Sequence, residues 1–144
     1  MKKRKVSLLE RAMSDLRAVK TLLPAASDDV DIDVCAYHCQ QCIEKTVKFL
    51  IELEGKEYSA RHDMDVVLED LSDENAVRLV QSVMTRVDLW ISSTRYGSSI
   101  MSNKKQVEEV LRVCEQLIKI AESKIPNTED VSSALGIPGR RRSR

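Results

Sequence analysis

His38, Gln41, Glu44, Lys45 and Lys48 place an imidazole, an amide, a carboxylate and two ammonium groups at steps of three or four residues. On a helix such residues are neighbours, so these groups would act on one target together. The imidazole and carboxylate suit proton transfer, and the ammonium groups suit a phosphate. Cys35, Cys39 and Cys42 lie around His38, which raises zinc chemistry as well. The spacing argues against zinc. Structural zinc sites usually draw two ligands from a tight loop and two from elsewhere, whereas these cysteines run on through Thr46, Phe49 and Leu53 as the buried stripe of a helix. We read them as packing residues and expect no metal, no cofactor and no disulfide.

The elements that must position these groups follow from hydrophobic period. The chain has 144 residues, enough for one domain with one core. Val6, Leu9, Met13, Leu16, Val19 and Leu23 form the stripe of a first helix, ended by Pro24. Asp28, Asp29, Asp31 and Asp33 suit the N-terminus of the second helix, which carries the polar set and stops at Gly55. A short helix opens near His62 or Asp63 and carries Met64, Val67, Leu68 and Leu71. From Asp73, the positions Val77, Val80, Val83, Met84, Val87, Trp90 and Ile91 keep helical period up to Tyr96-Gly97, which predicts one helix of about five turns. Asn103 with Gln106 reads as a capping box for a last helix, whose stripe includes Val107, Val110, Cys114, Leu117 and Ala121. The predicted fold is all-α: an antiparallel bundle of four long helices plus one short helix.

Charge is distributed unevenly. Residues 1–5 form a basic N-terminal extension, and residues 127–144 read as a disordered tail ending in Arg140, Arg141, Arg142 and Arg144. The bundle between them, residues 6–126, holds 15 Lys and Arg against 21 Asp and Glu. An extended cationic surface for RNA is therefore not encoded in the body. No apolar run approaches the roughly 20 residues of a membrane span, and no apolar signal core follows the basic start, so a cytoplasmic location is expected.

The run Ala36-Tyr37-His38-Cys39-Gln40-Gln41-Cys42-Ile43-Glu44-Lys45, with Lys48, resembles the second-helix signature of the HEPN domain family (higher eukaryotes and prokaryotes nucleotide-binding domain). His62-Asp63-Met64 is similar to the start of that family's short helix, and Ser93-Thr94-Arg95-Tyr96 to the end of its third long helix. The resemblance implies a helical bundle that pairs with a second copy, often encoded beside a small nucleotidyltransferase in a two-component, toxin–antitoxin-like module. It also implies contact with a nucleotide or RNA, and in many members a metal-independent RNase that needs an Arg followed after four to six residues by a His.

That pair is incomplete in this chain. The positions that should hold Arg are Asp31, Ile32 and Asp33 for His38, and Gly55, Lys56 and Glu57 for His62. Counting forward from Arg95, the His positions are Ile100, Met101 and Ser102. The expectation is a homodimeric binding protein, with His38, Gln41, Glu44, Lys45, Arg95 and Tyr96 as ligand or interface residues, and with Arg95 and Lys45 on phosphate. Two other readings stand beside it: an RNase toxin that combines Arg95 with His62 or His38, and a structural interaction module whose polar stripe fixes the register of assembly.

Overall fold

The computed structural model describes residues 7–58, 60, 64–95 and 102–125, apart from the side chains of residues 92–95. The basic N-terminal extension, His62, Tyr96 and the tail lie outside the described residues. Among the described residues there are six α-helices: α1 (Leu8–Leu22), α2 (Asp29–Leu53), α3 (Met64–Leu68), α4 (Glu74–Gln81), α5 (Met84–Arg95) and α6 (Lys104–Ser123). The all-α class predicted from periodicity is the one observed.

α1, α2, α4 and α6 begin where the sequence supplies a cap. Ser7 Oγ accepts from the Glu10 amide at 3.0 Å, and Asp28 Oδ1 accepts from the Asp31 amide at 2.8 Å. At the start of α6, Asn103 Oδ1 accepts from the Gln106 amide at 2.8 Å while the Gln106 side chain accepts from the Asn103 amide at 3.1 Å, which completes the predicted capping box. α1 ends at Leu22, and the chain turns through a short 3₁₀ segment, Leu23–Ala25, with Pro24 inside it. α2 ends on a Schellman turn. Gly55 sits at φ +77°, its amide donates to the Glu52 carbonyl, and the Lys56 amide reaches back to Ile51. A side chain would strain that left-handed position, so this glycine has a structural task.

The helix predicted from Asp73 to Tyr96 is divided in two. At Ser82 and Val83 the Ser82 hydroxyl donates to the Leu79 carbonyl, and the Val83 amide donates to Val80, three residues back. The ladder tightens there, and a hydroxyl competes with the backbone for carbonyls. Hydrophobic period carries no trace of this, because Val80, Val83 and Val87 stay buried across the break.

α1, α2 and α6 pack on one another in all three pairings, while α5 covers α2, α4 lies on α6, and α3 bridges α2 and α5. α2 is thus the central element. Its buried residues include Cys35, Cys39, Ile43, Val47 and Leu50, while Leu9 and Val19 come from α1 and Val107, Val110 and Leu117 from α6. Two side chains tie the periphery down. Asp73 caps α4 and also accepts from Lys124 Nζ at 2.7 Å, and that ammonium, followed by the Ala76 amide, holds its carboxyl below the ordinary range. Lys104 reaches the Pro24 and Ala26 carbonyls at 3.1 and 3.3 Å, joining the start of α6 to the end of α1. No helix among the described residues is long and apolar enough to cross a membrane.

Candidate functional site

The central position of α2 changes what its polar residues can do. Neighbouring helices cover it on most sides, so the polar stripe lies largely inside the chain rather than along its surface. It forms two clusters.

The first is centred on Asp15, a buried residue of α1. Its Oδ1 accepts from His38 Nδ1 at 2.8 Å, and its Oδ2 accepts from Lys45 Nζ at 2.7 Å. An ionised carboxylate only accepts, so the proton of the neutral ring resides on Nδ1 and Nε2 is left for another partner. The Lys45 ammonium balances the carboxylate charge. The Tyr37 ring meets His38 edge-on, with centroids 5.4 Å apart and planes at 72°.

The second cluster lies within α2. Glu44 is 5% exposed and Lys48 7% exposed. Glu44 Oε2 accepts from Lys48 Nζ at 2.8 Å, Glu44 Oε1 accepts from Gln40 Nε2 at 3.1 Å, and Gln40 in turn accepts from Gln41. Lys48 also stands over the Tyr58 ring, 5.2 Å from its centroid. Such a buried pair keeps its charges only because both are hydrogen-bonded.

His38, Gln41, Glu44 and Lys45 therefore share α2, with His38 and Lys45 joined through Asp15 and Gln41 joined to Glu44 through Gln40. Arg95 is the last residue of α5, and its side chain lies outside the described residues, as do His62 and Tyr96. Asp15 and Gln40 were missed by sequence reasoning. The signal for Asp15 is a carboxylate three residues after Ala12 and four before Val19, in the middle of an apolar stripe. Gln40 stands four residues before Glu44, at hydrogen-bonding register.

A groove of roughly 600 Å³ opens between α1 and α2, and its lining includes Ser14, Arg17, Thr21, Val34 and His38. It lies within the range of small-ligand sites. Arg17 has no ion-pair partner among the described residues.

All four cysteines are buried free thiols, and the Cys114 thiol contacts the Cys39 carbonyl at 3.4 Å. Among the described residues no group of three or more His, Cys, Asp or Glu could hold a metal. Burial first, then Cys39 and Asp31, pushes the Cys35 thiol up to about 11. The unfolded chain would release that proton near the ordinary thiol value of about 8.5. Between these values the folded state holds the extra proton, so stability should fall as pH rises from about 9 toward 11. Urea midpoints across that range check this: Cys35→Ala should show a shallower decline than the parent chain.

Comparison with curated proteins and with solved structures finds no match. The HEPN domain family model does match, over residues 6–124, a span that takes in both polar clusters and every helix described above. On that match the chain belongs to the HEPN domain family.

Proposed function

We propose that this HEPN domain is a homodimeric binding protein without nuclease activity, which recognises a nucleotide or RNA ligand or partners a small nucleotidyltransferase in a two-component module. Family membership supports a nucleotide- or RNA-related role. The observation that carries the non-catalytic reading is the pairing inside α2 and between α2 and α1. Lys45 and Lys48, the cations nearest the imidazole in sequence, are spent on Asp15 and Glu44 rather than held open for a reacting phosphate.

Light scattering at micromolar concentration tests the dimer, which should show twice the 16.3 kDa of one chain. A monomer would count against it. Incubation with end-labelled RNA tests the chemistry, and a retarded but intact RNA is the expected result.

One observation favours a second reading. His38 and Arg17 line the same groove, so an imidazole and a guanidinium, which the sequence nowhere sets at the motif spacing, share one surface. RNA cleavage by the purified protein, abolished in His38→Ala, would establish an RNase and overturn the non-catalytic reading.

A further inference from the structure

We infer that the α1–α2 groove is a binding site for a nucleoside 5′-monophosphate, with the phosphate on Arg17 and His38 Nε2 and the nucleoside along the Leu22–Val34 wall. The inference rests on the nucleotide-binding reading above and gives that reading a location and a ligand class. Four features of the groove lead to it.

First, the imidazole is aimed. Asp15 occupies Nδ1, so only Nε2 remains for a ligand, and the ring is held from the side of α1. A phosphate monoester matches this nitrogen in either of its ordinary ionisation states. As a dianion it accepts from the protonated ring. As a monoanion it carries a P–OH proton that the neutral ring accepts at Nε2, and a monoester crosses between these states near pH 6.

Second, the charge balance favours an anion. The carboxylate that orients His38 would by itself repel phosphate, but Lys45 sits 2.7 Å from its other oxygen. Its charge is balanced within the protein. Arg17 then stands as an additional cation on the groove, with no carboxylate partner among the described residues. A guanidinium presents a fixed fork of donors to two phosphate oxygens.

Third, the hydroxyls of Ser14 and Thr21 lie on the same wall, one helical turn to either side of Arg17. They supply short donors and acceptors at both ends of the site, for phosphate near His38 and for sugar hydroxyls toward the start of α2.

Fourth, the remaining wall is apolar and partly open. Val34 is exposed, Leu22 is half-buried, and Tyr37 is exposed next to His38. A base laid along them would cover apolar surface that the chain leaves to water. The volume of roughly 600 Å³ admits one nucleotide.

Isothermal titration of the full chain with each of the four ribonucleoside 5′-monophosphates tests the site, with adenosine and inorganic phosphate as partial ligands. At least one monophosphate should bind. Its nucleoside should bind at least tenfold more weakly, and inorganic phosphate should compete with it. Arg17→Ala should lose tenfold or more, and Val34→Glu, which puts a carboxylate on the wall, should abolish binding. Both residues are exposed, so both variants should keep the parent's thermal midpoint, which separates lost binding from lost folding. Equal affinity in the parent and in both variants would overturn this site while leaving a nucleotide-binding function elsewhere in the chain. Absence of binding to all four monophosphates overturns the site; if short RNA also fails to bind, the ligand-binding reading of the proposed function falls with it and the partner reading is left.

Discussion

Glu44→Ala should lower the unfolding free energy by about 3–5 kcal/mol, the usual loss when one member of a buried ion pair is removed. The substitution strands the Lys48 ammonium at 7% exposure, with the Tyr58 ring as its remaining aromatic neighbour, and it also removes the acceptor of Gln40. The loss therefore comes from unpaired partners more than from the pair itself. That account makes a second statement that can be checked. Replacing both members with apolar residues, as in Glu44→Leu with Lys48→Met, should recover most of the stability, because no charge is left behind. Urea unfolding of the single and double variants reads both. A single-variant loss below about 1 kcal/mol, typical of exposed pairs, would mean that the pair behaves as a surface salt bridge.

Asp15→Ala should cost about 2–3 kcal/mol, since two donors lose a charged acceptor in one step. The effect is smaller than at Glu44 because His38 and Lys45 keep partial contact with solvent, their side chains being 31% and 25% exposed. Asp15→Asn should fall between the parent and the alanine variant: an amide oxygen still accepts one hydrogen bond but carries no charge. The ring itself gives a readout that mere destabilisation would not move. In the parent, the neutral His38 ring should carry its proton on Nδ1, and in Asp15→Ala it should shift toward the Nε2 tautomer. Long-range ¹H–¹⁵N correlation spectra distinguish the two, and an unchanged tautomer would show that Asp15 does not orient the ring.

The helices were readable because their signals are local. The acidic start at Asp28, the capping box at Asn103, the stop at Gly55 and the stripes of α1 and α6 all act within one or two turns. The break at Ser82 was unreadable for the opposite reason: the buried valines keep their period through it, and the serine there is one of many. The site was legible by half. His38, Gln41, Glu44 and Lys45 stand out on one helix, but which of them faces solvent depends on how many helices surround α2. That number is a property of packing. Asp15 supplies the sharpest case, since a carboxylate in an apolar stripe looks like an interruption until the partner helix brings His38 and Lys45 to it. Arg17 is legible only as a charged residue on α1, and its place on the same groove as the imidazole comes from the pairing of two helices.

The closing of α6 over α2 has a consequence for assembly of the chain in time. α1 and α2 are joined by a short turn and clasped through Asp15, so they can associate as soon as both have left the ribosome. Cys114 and the lysine that grips Pro24 and Ala26 come from a helix made about 80 residues later. Until then the side of α2 that bears Cys39 lacks the helix that covers it in the finished bundle. Residues 104–125 are thus the last cover to arrive, and a chain truncated ahead of them should leave the Cys39 thiol open to alkylation that the complete chain resists.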